Sequence, residues 1–367
     1  MAFHKTISNR ISMLRPLLIL GVVYVHTSGG ASDSFAELHG VFQEIAGFFK
    51  NTLFRASVPM MSIIAGFLLF KANLDLAPAK MFKKKFHTLA IPFLFFNLGY
   101  VAFVLLSKQL FGVSFHVNFA GLDLKGWGNL LFGLQDYPLN MSLHFVRDML
   151  VTMALVPVLS ALVRNAPWLG LIAVTIVFGA NFDGYLIIRG TSLVLFYIGA
   201  LVAVQKHNVL ALDKYAVPAL VLLLSSCLVY SVFKIEHTTP LIVTLPFLVW
   251  IAAALLQGSR FEGVAMKYSK YSFFVFLAHG PVMMLSWWVV NNYMRFIPAP
   301  IYWLLAPILG VACLIKVYDL ATRHVPTFFN FIIGARGKPD FAERRRVARP
   351  VNAPVYTPEY RLSLATV

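Results

Sequence analysis

The sequence is poor in charge, in acidic residues and in cysteine. Only 13% of its 367 residues are charged, and Asp and Glu number 15 against 31 Lys and Arg. Soluble domains carry about 25% charged residues, so this composition excludes an ordinary soluble globule. The two cysteines, Cys227 and Cys313, lie apart inside apolar runs. They offer neither a disulfide framework nor the ligand spacing of a metal site, and we predict no bound metal.

Long apolar stretches fill the chain instead. Hydrophobic residues make up 59% of it, and the mean hydropathy is +0.75. A helix needs about 20 mostly apolar residues to cross the hydrocarbon core of a bilayer. On this template the candidate transmembrane helices are residues 12–28, 53–70, 87–107, 144–163, 168–182, 191–205, 215–234, 240–257, 271–292 and 300–320. We therefore predict an all-α fold, a polytopic integral membrane bundle of about ten transmembrane helices.

The basic residues have a topological explanation. The formal net charge is +16, and Lys and Arg are concentrated at both ends of the chain and in alternate loops. Cytoplasmic loops of membrane proteins carry such an excess, and an even number of spans places both termini on one side. We predict that both termini are cytoplasmic and that the chain has no nucleic-acid partner.

The last part of the chain differs from the rest. Residues 335–367 contain many arginines and four prolines and have no apolar face. Such a composition cannot bury enough apolar surface to fold. We predict a transmembrane domain over residues 1–334 and a basic, disordered cytoplasmic tail over residues 335–367, placed to lie on anionic lipid.

The first predicted span contains two ionisable residues in an apolar stretch, Arg15 and His26. Residues eleven apart return to nearly the same face of a helix, roughly 16 Å further along its axis. Pro16 suits a first helical position, which predicts Arg15 at the membrane boundary and His26 about halfway through the hydrocarbon core. An ionisable group at that depth marks a substrate or proton path, unless it only donates a hydrogen bond to a neighbouring helix.

Three later segments carry further patterns. Residues 54–70 contain Arg55 and Pro59 as Arg-x-x-x-Pro and end in a small-Gly-aromatic step, residues 141–151 lead into the fourth span, and residues 268–282 end in His279-Gly-Pro. With Arg15 and His26, these segments resemble the membrane-bound acyltransferase-3 family, in the family's order. The resemblance covers most of the first 285 residues.

The chain also departs from this family's pattern. The family commonly has Asp where Ser12 stands and Ser at Ala65, and it often has Arg-x-x-Arg after the second span, where the nearest match is Lys84 with His87. Acid–base or donor contacts that those residues make in the family must come from elsewhere in this chain.

The resemblance implies an O-acyltransferase of the bacterial inner membrane, of the polysaccharide O-acetyltransferase type without a fused extracytoplasmic domain. The implied donor is cytoplasmic acyl-CoA, most often acetyl-CoA, used as a co-substrate with no bound cofactor. The implied acceptor is a hydroxyl of an envelope or exopolysaccharide sugar, free or lipid-linked. Membrane lipid and polysaccharide assembly machinery are the other expected partners.

O-acyl transfer assigns roles to these residues. A base must remove the hydroxyl proton as the oxygen attacks the thioester, and the histidine with a suitable position is His26. A cation or N–H must stabilise the oxyanion, and the candidate partners are Arg55, Arg147 and His279. Arg15 lies too far along the helix axis for that role, so we predict that it binds the donor's phosphates or orients the entrance of the site at the membrane boundary.

Two sequence features near these residues have structural alternatives. Arg147 and Asp148 are about 100° apart on a helix, so we expect each to pair with another span, either as a charge lock or as part of the site. Pro281 kinks the helix beside His279, which opens a cavity or only adjusts packing.

The densest basic loop, residues 71–87, includes Lys84, Lys85 and His87. These cations either anchor the third span at anionic headgroups or bind the donor's phosphates, and the two functions are compatible. In the loop of residues 108–143, Trp127 and Tyr137 serve as membrane-belt residues or as sugar contacts.

A different class of function also fits the pattern. Buried His and Arg in a ten-helix bundle describe the pathway of a transporter or flippase with no covalent chemistry. Within the enzyme class, a succinyl group is the alternative to acetyl.

Overall fold

The computed structural model describes residues 2–27, 40–111, 119 and 121–335, which form helices and turns without a β-strand. The α-helices are α1 (Ala2–Val25), α2 (Val41–Gly47), α3 (Ser57–Lys71), α4 (Pro78–Lys85), α5 (Ile91–Phe111), α6 (Leu124–Phe132), α7 (His144–Asn165), α8 (Pro167–Val174), α9 (Gly190–Val204), α10 (Ala216–Val232), α11 (Thr239–Ala252), α12 (Arg260–Tyr268), α13 (Ser272–Tyr293), α14 (Ala299–His324) and α15 (Pro326–Ile332). Short 3₁₀ and π-helical turns join several of them.

Among these residues, eight helical stretches are long and apolar enough to cross a membrane. They are Lys5–Val25, Val41–Lys71, Pro78–Leu110, Met141–Asn165, Asp213–Val232, Thr239–Leu256, Arg260–Tyr293 and Ala299–His324. The fifth and sixth predicted spans correspond to the shorter apolar helices Pro167–Gly179 and Gly190–Val204. Each predicted segment thus falls on a helix, and the all-α polytopic membrane fold is confirmed.

The first span differs from the prediction at both ends. The helix α1 begins at Ala2, so Pro16 lies inside it and not at its start. His26 follows the last helical residue, in a turn where its N–H bonds to the carbonyls of Val22 and Val23 at 3.2 and 3.1 Å. His26 thus lies just beyond the end of α1, and its position about halfway through the hydrocarbon core stays a prediction.

A buried arginine explains why the start of α1 was missed. Arg10 is fully buried, and its two terminal nitrogens bond to the carboxylate of Asp213 at 2.9 and 2.6 Å. Its guanidinium also lies over the ring of Trp250, 4.8 Å from the centroid. A charged residue ends an apolar stretch when spans are predicted from hydrophobicity, so Arg10 was left outside the predicted span. Its ion pair with Asp213 makes its burial possible.

Helices α3 and α9 pack backbone against backbone. A Cβ atom on Gly66 would lie 2.0 Å from the carbonyl oxygen of Phe196, and one on Gly199 would lie 2.1 Å from that of Ile63. Only glycine fits at either position, as in other membrane helices that approach closely. Gly66 is the glycine of the small-Gly-aromatic step, so this contact gives that step a physical reason.

The long helix α7 joins two chemically different ends of the bundle. His144 begins it, and we call the end formed by His26, His144 and His279 the histidine end. Arg164 lies in its last turn and forms an ion pair of 2.9 Å with Asp75, and we call this the basic-loop end. Arg164 follows His144 by 20 positions, which separates the two ends by roughly 30 Å along the helix axis.

One compact unit comprises Met1–Gly334. Residues 335–367 lie outside the described residues, apart from Ala335. The disordered tail therefore stays a prediction.

Candidate active site

Two histidines from different helices meet at the histidine end. The ring centroids of His26 and His279 are 5.4 Å apart, and the ring planes are inclined by 54°. His26 is half-buried in the turn after α1, whereas His279 on α13 is fully buried. The sequence predicted each of them separately, and the structure brings them into contact.

The hydrogen bonds of His279 define its neutral tautomer. Its Nδ1 lies 2.8 Å from the carbonyl oxygen of Phe276 and 3.3 Å from that of Val275. Because a carbonyl oxygen only accepts, Nδ1 carries the hydrogen and Nε2 is an acceptor. Nε2 is buried and has no hydrogen-bond partner among the described residues. A buried acceptor in that condition is costly, so Nε2 is where an N–H or O–H donor would be bound most strongly.

The turn that carries His26 is held by neighbouring helices. The next residue, Thr27, is fully buried, and its hydroxyl donates to the carbonyl of Val23 at 2.9 Å. Its own carbonyl accepts a hydrogen bond of 3.3 Å from the hydroxyl of Tyr302, which lies 2.9 Å from the hydroxyl of Ser286. These contacts from α13 and α14 fix the turn and hence the direction of the imidazole.

Two cations from the second span lie in the neighbourhood of His26. The π-helical turn Phe48–Thr52 carries Lys50, and the 3₁₀ turn Leu53–Ala56 carries Arg55. The positive charges of Lys50 and Arg55 both interact electrostatically with the imidazole of His26. The Arg55 side chain is exposed. Such interruptions of a regular helix occur frequently at functional sites. Arg55 is thus near enough to His26 for an electrostatic interaction, and its role as a candidate partner stays a prediction.

Arg147 and Asp148 bind each other and one further segment. Their side chains form a buried ion pair of 3.1 Å. The carboxylate of Asp148 also accepts from the backbone N–H groups of Ile188 and Arg189 at 3.0 and 2.9 Å, and Arg147 donates to the carbonyl of Leu186. The expectation that the two side chains would not face each other was wrong, because the long arginine side chain folds back. They hold the segment before α9 in place.

That segment brings in residues that sequence reasoning missed. The guanidinium of Arg189 lies over the ring of Tyr137, 5.8 Å from its centroid, and this ring contacts that of His144 at 5.5 Å. The positive charge of Arg189 interacts electrostatically with Arg55 and with His144. His144 in turn interacts electrostatically with His26. A histidine three residues before Arg147, at the start of a span, was a visible signal. Arg189 had none, because its position depends on hydrogen bonds to Asp148.

The remaining predicted donor contacts lie away from the histidines. Lys84 and Lys85 are in the last turn of α4, and His87 is in the π-helical turn that follows. All three belong to the basic-loop end, where Lys84 and His87 are exposed. Arg15 is half-buried on α1, roughly 16 Å along the axis from His26. In the described part of the chain, no group of three His, Cys, Asp or Glu is placed to hold a metal ion.

Comparison with known proteins gives two matches. No solved structure matches significantly. The chain is 26% identical over 371 residues to the succinoglycan biosynthesis protein ExoH of Rhizobium meliloti (strain 1021), and the alignment covers 97% of this chain and 99% of that protein. A family model described as an acyltransferase domain matches residues 8–318, which include both His26 and His279. That match covers most of the chain and confirms the resemblance: the chain belongs to the acyltransferase-3 family of membrane proteins.

Proposed function

We propose that the chain is a bacterial inner-membrane O-acyltransferase. It transfers an acyl group, in the first instance acetyl, from acyl-CoA to a hydroxyl of an envelope or exopolysaccharide sugar. Family membership supports acyl transfer, and the name of the relative, a succinoglycan biosynthesis protein, supports a polysaccharide acceptor. The observation that carries the site is the contact between His26 and His279, with the exposed cation Arg55 in the neighbourhood of His26.

On this proposal each group has one step. The acceptor hydroxyl attacks the thioester carbonyl while neutral His26 takes its proton. In the proposed reacting complex the His26 ring turns to donate a hydrogen bond to His279 Nε2, which has no partner among the described residues, and His279 acts as a positioning residue. Arg55 stabilises the oxyanion of the tetrahedral intermediate. When the intermediate collapses, the CoA thiolate leaves and takes the proton from His26, which releases free CoA thiol and the sugar ester.

We propose that donor and acceptor approach from different sides of the membrane. If both termini are cytoplasmic, the basic-loop end faces the cytoplasm, where acyl-CoA is available. The histidine end then faces the other side of the membrane. Arg15, Lys84, Lys85 and His87 remain our proposed contacts for the donor, and Arg147 and Asp148 support the site by holding the segment before α9.

A succinyl donor is the second candidate, and the charge around His26 favours it. The positive charges of Lys50 and Arg55 interact electrostatically with His26, and the positive charge of Arg189 interacts with Arg55. The carboxylate that acts on His144 belongs to Asp148, which already pairs with Arg147. A succinyl group carries a free carboxylate that such cations would bind, whereas an acetyl group carries none.

The test uses purified protein in lipid nanodiscs with acetyl-CoA or succinyl-CoA and oligosaccharide repeat units of the host polysaccharide. An acyltransferase releases CoA thiol only when acceptor is present, and mass spectrometry of the sugar identifies the acyl group. A transporter would move the sugar in liposomes without releasing thiol. Thiol release that does not depend on His26 would refute the proposed site.

A further inference from the structure

A cavity opens at the basic-loop end, apart from the histidines. Its volume is about 490 Å³, and it lies between the ends of α3, α7 and α9, with Ile7 of α1 at one wall. This volume is in the range of ordinary ligand sites, roughly 300–1,000 Å³. Its lining includes Lys71, Arg164, Lys206 and His207, from three separate parts of the chain.

Two of these cations are held in place by other residues. Arg164 uses Nε and Nη2 to bind Asp75 at 2.9 and 3.2 Å, and Nη2 also lies 3.3 Å from the side-chain oxygen of Asn73. These bonds leave its Nη1 amine for a ligand. Lys71 lies over the ring of Phe67, with Nζ 4.9 Å from the centroid. Fixed cations bind an anion at a smaller entropic cost than mobile ones.

The backbone around the cavity is also unusual. Asn73 and Lys206 both line it, and both have left-handed backbone angles, with φ of 49° and 55°. For a lysine this conformation is uncommon and costs free energy. Helix ends explain a single cation near a carboxyl terminus, but they do not explain why three cations line one concave volume.

We propose that this cavity binds the phosphates of the nucleotide end of the acyl-CoA donor. Lys71 and Lys206 supply positive charge, and Arg164, although paired with Asp75, adds further N–H donors, which together match a ligand with several phosphate charges. The inference rests on the proposed function and refines the donor-binding role predicted for the basic loop. It assigns that role to Lys71 at the start of the loop, together with residues of α7 and α9.

An anionic lipid headgroup offers the same chemistry, so the experiment separates the two. Wild-type protein and the variant Lys71→Gln/Lys206→Gln are placed in nanodiscs of phosphatidylcholine alone, and binding of CoA, dephospho-CoA and pantetheine is measured by calorimetry. Lys267→Gln is the matched control, because Lys267 is exposed on α12, which packs on α1 through Ala265. We expect the Kd for CoA to rise at least tenfold in the double variant, equivalent to about 1.4 kcal/mol, and to stay unchanged in the control. We also expect weaker binding of dephospho-CoA, none of pantetheine, and a wild-type affinity that falls as salt rises.

Three results would overturn the inference. If CoA binds the double variant as tightly as wild type, the cations serve only the helix ends, and the proposed acyl transfer stands. If native mass spectrometry shows phosphatidylglycerol bound to wild type and lost from the double variant, with CoA binding unaffected, the occupant is lipid. If wild type binds no CoA and releases no thiol from acyl-CoA with acceptor, the proposed function fails as well.

Discussion

Replacement of Asp148 by alanine tests how the segment before α9 is held. The carboxylate is 1% exposed and accepts three hydrogen bonds, from Arg147, Ile188 and Arg189. Its removal leaves the buried guanidinium of Arg147 with only the carbonyl of Leu186 as a described partner. Breaking a buried ion pair by removing one partner costs about 3–5 kcal/mol. We expect the free energy of unfolding to fall by that amount.

The double variant Arg147→Met/Asp148→Ala separates the stranded charge from the lost hydrogen bonds. Because it removes the guanidinium as well, we expect it to be less destabilised than the sum of the single variants, with a coupling energy of about 1 kcal/mol or more. Unfolding is followed by tryptophan fluorescence as a denaturing detergent is added to micelles of a mild one. Asp123→Ala is the control, because Asp123 caps the exposed start of α6 and should cost about 1 kcal/mol. A loss below 1 kcal/mol for Asp148→Ala would refute this account of the segment.

Three further predictions concern the site, the packing and the topology. His26→Ala should lower turnover by roughly 10²–10⁴-fold with near-normal protein levels in the membrane, and activity above a tenth of wild type would contradict its role as base. Gly66→Ala places a methyl group 2.0 Å from the carbonyl oxygen of Phe196 and should reduce the yield of folded protein, whereas Gly99→Ala, which faces open space, should not; equal yields would contradict the tight contact. With Cys227 and Cys313 replaced, a cysteine at position 123 should react with an impermeant reagent in intact cells and one at position 84 only after permeabilisation; the reverse pattern would invert the topology.

Apolar composition alone predicted which segments are helical, but not where they begin. The hydrocarbon core selects apolar residues, so each span leaves a readable window. Arg10 interrupts such a window and is nevertheless buried, since it pairs with Asp213, 203 positions away. The second span extends back to Val41, through the irregular turns that carry Lys50 and Arg55. A partner so distant in sequence leaves no local signal.

The candidate site was predicted in parts and not as an arrangement. His26, Arg55 and His279 each belong to a pattern of the family, and each lies at the histidine end. Their contact could not be derived, because it depends on the crossing of α1 and α13 and on the bonds of Thr27 and Tyr302. Arg189 could not be predicted for the same reason. Its place beside Tyr137 depends on the hydrogen bond from its backbone N–H to Asp148.

The packing of α3 and α9 constrains how a donor at one end could serve an acceptor at the other. Ser57 begins α3 close to Arg55 in sequence, and Lys71 ends it at the cavity, so α3 itself extends roughly 21 Å from the neighbourhood of Arg55 to the cavity. Gly66 and Gly199 hold these two helices in backbone contact, which leaves no room for one to slide past the other. The two ends therefore keep a fixed distance while the reaction proceeds. If the phosphates bind in the cavity, the flexible arm of acyl-CoA must span that distance to bring the thioester to His26. On this account, a shortened CoA analogue that keeps its phosphates should bind with nearly normal affinity but should not transfer its acyl group.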